Sequence, residues 1–116
     1  MSNPTLVIAT TTVSDQEQAR RLAGEILDRR CAACVQVDGP ITSHYVWQGR
    51  LQQETEWRLT IKTTADRQAE LARLVHDHHP YDVPQWLVTV VAAASSEYAE
   101  WVAKSVTRSA PSAEPN

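Results

Sequence analysis

Two alternating runs, Ala33 to Trp47 and Leu51 to Thr63, meet at Gln48-Gly49-Arg50, and they constrain this chain more than any other feature. In the first run the odd positions carry Ala33, Val35, Val37, Gly39, Ile41, Ser43, Tyr45 and Trp47, and the even positions carry Cys34, Gln36, Asp38, Pro40, Thr42, His44 and Val46. In the second, Leu51, Thr55, Trp57, Leu59 and Ile61 alternate with Gln52, Glu54, Glu56, Arg58 and Lys62. A period of two marks strands, and the shared Gly49 turn predicts one long hairpin with a single buried face. A strand of 13 residues at about 3.3 Å per residue reaches roughly 43 Å. A compact chain of this size has a radius of gyration near 13 Å, hence a diameter of about 34 Å. The ribbon must therefore overhang its own domain. Its tip carries Tyr45, Trp47 and Leu51, which are poor residues to leave in water, and the expected cover is a second copy of the chain.

Around the hairpin the pattern is regular. Thr5 to Thr12 is a continuous apolar and β-branched run, expected as a central strand covered on both faces. Ser14, with Glu17 three residues on, predicts the capping box of a first helix with Ala19, Leu22, Ala23, Ile26 and Leu27 along one stripe. Gly39-Pro40 interrupts the first hairpin arm, where proline forces a bulge or bend. Thr63 or Thr64 is expected to cap a second helix with Asp66 in its first turn and Leu71, Leu74 and Val75 inward. That helix ends at His78-His79-Pro80, because the residue before proline is pushed out of the α region. Gln85 to Ala92 reads as another strand. Ser95 or Ser96 caps a short third helix with Tyr98, Trp101 and Val102 inward. The polar run from Thr107 onward predicts a disordered tail over 107–116, leaving 1–106 as one domain. The order β-α-β-β-α-β with an added C-terminal helix predicts an α+β, ferredoxin-like sandwich: a four-stranded antiparallel sheet with two helices on one face. Sheet association between subunits is expected to cover the other face.

The chain has 116 residues and a formal charge of −3, with no basic block, which argues against a nucleic-acid partner. The apolar run Leu6 to Ala9 is too short for a signal segment or a membrane span. No membrane partner is expected, and the cytoplasm is the expected location. Cys31 and Cys34 suit a reducing compartment. Their spacing is that of half a zinc site or a redox pair, but the bland alternative of two small semi-buried hydrophobes fits better.

Three sets of side chains carry chemistry. In His76-Asp77-His78-His79, imidazoles suit Cu(II) and Zn(II), and Cu(II) tops the divalent series. The competing explanation is that a helix C-terminus attracts histidine through its free carbonyls and dipole. Tyr45, Trp47, Lys62, His79 and Tyr81 form a second set, aromatic walls with a Lys that fit a small-anion or metabolite cleft at a subunit boundary. The alternative is interface core with Lys62 as a salt-bridge partner. Glu54, Glu56, Glu97 and Glu100 read as solvated surface rather than an acid-base pair. No phosphate loop, nucleophile elbow or Ser-His-Asp order is visible, so no enzyme is expected.

Several strings together resemble a known family. They are Ala32-Ala33-Cys34-Val35-Gln36-Val37, Gly39-Pro40-Ile41-Thr42-Ser43 and Tyr45-Val46-Trp47-Gln48-Gly49-Arg50, then Ile61-Lys62-Thr63, His79-Pro80-Tyr81-Asp82-Val83-Pro84 and Glu97-Tyr98-Ala99-Glu100-Trp101. In order and spacing, from about residue 5 to residue 103, they resemble the CutA divalent-cation tolerance family. The resemblance implies a ferredoxin-like protomer in a homotrimer, similar in build to the PII signalling proteins, and a link to copper and other divalent ions. His78 and His79 match the tandem His of copper-associated relatives and are the expected metal ligands. Tyr45, Trp47, Lys62 and Tyr81 are the expected ligand-binding residues of the alternative, a PII-like sensor of a small anion. No cofactor is expected to be obligatory. There are departures. Gln85 stands where many relatives have Glu, and Thr11 where some copper-associated relatives carry Cys. Cys31 replaces a more usual aliphatic residue.

Overall fold

The computed structural model describes residues 4–107. The elements are β1 (Leu6–Val13), α1 (Gln16–Asp28), β2 (Cys34–Trp47), β3 (Arg50–Thr64), α2 (Gln68–His78), β4 (Leu87–Val90) and α3 (Ser96–Ser105). The sheet order is β2-β3-β1-β4, with every neighbouring pair antiparallel. This is the expected ferredoxin-like arrangement. Helices α1 and α2 bury Ala19, Leu22, Ile26, Leu71, Leu74 and Val75 against Ala9, Val13, Leu59 and Ile61 of the sheet. A smaller cluster seats Ala99 and Val102 of α3 on Leu6. The 108–116 part of the expected tail lies outside the described residues.

Local details differ from the sequence expectation, each for a visible reason. Asp15, not Ser14, is the N-cap of α1: its carboxylate accepts the Gln18 N–H at 2.7 Å, while Ser14 Oγ turns to the Gln18 side chain. Leu27 falls off the buried stripe and is exposed. Thr64 begins a 3-10 turn over Ala65–Arg67, so α2 proper starts only at Gln68. Strand β4 is four residues, shorter than the apolar run: the ladder with β1 runs from Leu87 to Val90, and Val91 adds one bond to the Leu6 carbonyl. On α3 the inward stripe is Ala99, Val102 and Val106, whereas Tyr98 and Trp101 are exposed with ring centroids 5.6 Å apart. Small residues on that stripe let the helix sit close to the sheet.

Buried Arg67 holds the α1–β2 connection. Its guanidinium donates to the Arg30 carbonyl at 3.0 Å and to Glu70 at 2.7 Å. Arg30 sits at φ 57, in the left-handed region that lets the chain leave α1.

The hairpin overhangs as expected. The turn residues Gln48 and Gly49 have φ 53 and φ 78, the mirror-image turn whose twist matches that of paired strands. Strand β1 pairs with β3 only as far as Val13 opposite Trp57. Arg50 to Glu56 therefore run on for about 23 Å at 3.3 Å per residue, with β2 as their one strand partner. The radius of gyration is 15.7 Å and the extents are 50 × 35 × 21 Å, well beyond the roughly 13 Å of a compact chain. At the tip Tyr45, Val46, Trp47 and Leu51 are exposed, Leu51 to 87%.

One expectation fails instructively: the alternation does not keep one face through the hairpin. Asp38 pairs with Arg58 and Ile41 with Glu56, so Gly39 and Pro40 together oppose Trp57 alone. That bulge reverses the parity of β2. Before it, Val35 and Val37 face the helices opposite Ile61 and Leu59; after it, Ser43 and Tyr45 stand opposite Glu54 and Gln52 on the other face. Gly39 is required there, since a Cβ would come within 2.5 Å of the Trp57 ring.

Candidate functional site

The parity switch builds the site. Tyr45 and Trp47 on β2, and Glu54 and Glu56 on β3, share the face that the two helices leave open. The segment after α2 folds up beside them, and together they line an open cavity of about 560 Å³. Tyr45, Trp47 and Tyr81 supply its aromatic wall, and Glu54, Glu56 and Asp82 its charge.

Glu56 is the anchor. Only 7% exposed, it accepts from Ser43 Oγ at 2.6 Å and from Tyr81 Oη at 2.7 Å. It thereby ties the hairpin root to the segment after α2. This corrects the expectation of a solvated carboxylate: the side chain lies where the ribbon leaves β1, and only the bulge count places Ser43 beside it. The Tyr81 phenol is pushed up well beyond its ordinary pKa by burial and by the Glu56 carboxylate, so it stays a donor. The Tyr45 phenol also moves up, through loss of hydration and the nearby Glu54 and Glu56 charges.

His79 sits immediately behind. Its Nδ1 accepts the Tyr81 backbone N–H at 3.1 Å, and its Nε2 lies 2.9 Å from the Thr12 carbonyl and 3.0 Å from Thr11 Oγ1. A carbonyl only accepts, so Nε2 carries the proton and the ring is neutral. Burial lowers its pKa, outweighing the opposing pull of the Thr12 carbonyl. The ring also packs edge-on against Tyr81, with centroids 4.8 Å apart. His79 is thus a clamp between β1 and the cavity wall. The structural importance of Thr11, Thr12 and Ser43 carries no signal in the sequence, because it depends on residues far away along the chain.

The two predicted metal ligands are not brought together as a ready pair. His78 is exposed on α2, and its Nδ1 lies 3.0 Å from the Leu74 carbonyl; His76 does the same with Ala72 at 2.7 Å. This is the carbonyl attraction of a helix C-terminus. Among the described residues, no three His, Cys, Asp or Glu side chains gather as a metal set. The predicted ligand-binding set is also divided. Tyr45, Trp47 and Tyr81 line the cavity, whereas Lys62 lies toward the far end of β3, opposite Ile8 and Cys34. An anion in this cavity meets carboxylates without that lysine. Cys31 is buried and Cys34 partly so, and they are not joined in a disulfide.

The CutA1 divalent ion tolerance protein family model matches residues 7–105. The chain is 37% identical over 101 residues to the divalent-cation tolerance protein CutA of Escherichia coli O45:K1, covering 87% of this chain and 90% of that one. Among solved structures, CutA1 from Ehrlichia chaffeensis superposes with a TM-score of 0.88 at 27% identity, covering 92% of this chain and all of that one. CutA1 from Oryza sativa does so with 0.86 at 33% identity, over 93% of this chain and 98% of that one. Sequence, fold and topology agree, and the chain belongs to the CutA1 divalent ion tolerance protein family.

Proposed function

We propose that the protein acts in divalent-ion tolerance by binding divalent cations, Cu2+ foremost, as a homotrimer whose role is binding rather than catalysis. The observation that carries the metal reading is the contact of His78 Nδ1 with the Leu74 carbonyl at 3.0 Å. A carbonyl only accepts, so Nδ1 donates there, and Nε2 is turned away from it on an exposed helix end. Histidine ligands are commonly held this way, with the second ring nitrogen donating to a carbonyl. Imidazole favours Cu(II) over the other divalent ions. Thr11, the position at which some copper-associated relatives carry Cys, lies 3.0 Å from His79 Nε2. That contact supports a family metal locus between the first strand and the tandem histidines. In this chain His79 is committed to Thr12 and Tyr81, so His78 is the readier ligand. A neighbouring protomer is the proposed source of the remaining donors.

The overhanging tip supports trimerisation, because Val46 and Leu51 on one face of the ribbon and Trp47 on the other are exposed beyond the reach of β1. Calorimetric titration with Cu2+ is expected to show at least about tenfold weaker binding in His78→Ala; equal affinity removes His78 as a ligand. Light scattering is expected to give three times the chain mass of 13.0 kDa, and a smaller mass for Trp47→Glu. A single-chain mass for the unaltered protein at micromolar concentration overturns the trimer.

A further inference from the structure

We propose that the cavity between the hairpin tip and the 81–85 segment is a binding site for a small quaternary ammonium cation. The proposal is separate from the His78 metal reading, which concerns a different surface. It shares Trp47 and the open sheet face with the trimer reading, so choline is titrated at a protomer concentration at which light scattering has fixed the mass. The cavity, about 560 Å³, lies within the usual range of small-molecule sites. Its walls combine the rings of Tyr45, Trp47 and Tyr81 with the carboxylates of Glu54, Glu56 and Asp82, and no Lys, Arg or His is among its lining residues. Aromatic walls with acidic neighbours attract cations through the ring quadrupole and the net field.

The kind of cation follows from how the acids are used. Each oxygen of Glu56 already accepts one hydrogen bond, Oε1 from Ser43 and Oε2 from Tyr81, and the residue is only 7% exposed. It therefore supplies field rather than an open acceptor. Among the described residues no three carboxylate, imidazole or thiolate groups converge as an inner-sphere metal set, so a bare divalent ion finds no cage here. A primary ammonium has three donors to satisfy, which calls on Glu54, Asp82 and the Gln52 and Gln85 amides together. A quaternary ammonium has none to satisfy, carries a diffuse charge, and suits rings with carboxylates at their margin. The Tyr81 hydroxyl donates to Glu56, which leaves its ring richer in electron density.

The test compares choline with its uncharged carbon isostere, 3,3-dimethyl-1-butanol, by calorimetric titration of the full chain. Choline is expected to bind about tenfold or more tightly than the isostere, the scale of cation–π attraction in a partly desolvated site. Glu54→Gln, a near-isosteric change at an exposed position, is expected to weaken choline severalfold and leave the isostere unchanged. Glu100→Gln on α3 is expected to change neither. The Trp47 indole N–H resonance is expected to shift on saturation with choline. Equal affinity for the two compounds, no saturable choline binding, unaltered choline affinity in Glu54→Gln, or a response confined to other tryptophans each overturns the proposal.

Discussion

Removing the Tyr81 hydroxyl tests whether Glu56 joins the hairpin root to the segment after α2. The Tyr81 Oη–Glu56 Oε2 distance is 2.7 Å, at the upper end of the range for an O–H donor on a carboxylate. Hydrogen bonds to charged groups contribute about 1.5–3 kcal/mol. Glu56 is 7% exposed and cannot recover full hydration, which pushes the loss upward. Tyr81 is only half-buried, and Ser43 still donates to the other oxygen, both of which pull it down. Tyr81→Phe is therefore expected to cost about 1.5 kcal/mol, near the lower limit. At a urea m-value of about 1.5 kcal/mol/M, the unfolding midpoint falls by roughly 1 M. Glu56→Gln and the double variant complete a cycle, run at one fixed protomer concentration because association contributes to apparent stability. The expected coupling between the two positions is about 1 kcal/mol or more. Additivity within about 0.5 kcal/mol would refute the reasoning, since it means that the two side chains do not hold each other.

Other consequences are as direct. Gly39→Ala places a Cβ 2.5 Å from Trp57 Cδ1, and the overpacking is expected to cost about 1–3 kcal/mol by urea denaturation; an unchanged midpoint shows that the ring moves freely. Arg67→Ala leaves the Arg30 carbonyl and Glu70 without their guanidinium and is expected to lose about 2–4 kcal/mol, with earlier amide exchange at the C-terminus of α1 as a local readout. His79 is held neutral with a lowered pKa, so the unfolded chain binds more protons than the folded one below its ordinary value of about 6.5. Its contribution is complete above that value and lost as pH falls through the folded pKa. The melting temperature is therefore expected to drop between neutral and mildly acid pH, and His79→Gln is expected to flatten that drop. An identical pH profile in the variant assigns the acid sensitivity to other groups.

The order of elements was legible because it rests on local patterns. Period two over β2 and β3, period 3.6 over α1 and α2, the pre-proline stop at His79 and the Ser95 cap each follow from neighbours within a few residues. The length of the alternating runs announced the overhang without any structure, because strand rise per residue is constant. The resemblance carried the family for the same reason: its strings are local and ordered. Faces and partners were less accessible. Tyr98 and Trp101 look like an inward stripe, yet the helix turns its small residues to Leu6 because close approach decides the packing. Glu56 looks like any strand-surface carboxylate until Ser43 and Tyr81 are found on it.

What the amino-acid sequence determined by itself was the set of elements, their order and the excess length of the ribbon, all set by backbone geometry and near-neighbour chemistry. Pro40 announced a bulge or bend, but only the strand pairing decided that it adds one residue to β2 and so which side of the sheet the chemistry occupies. One extra residue at Gly39-Pro40 reverses the parity of β2 and carries Tyr45 and Trp47 to the carboxylate face. A register shift is a relation between two strands, and neither strand's own sequence records how its partner is counted.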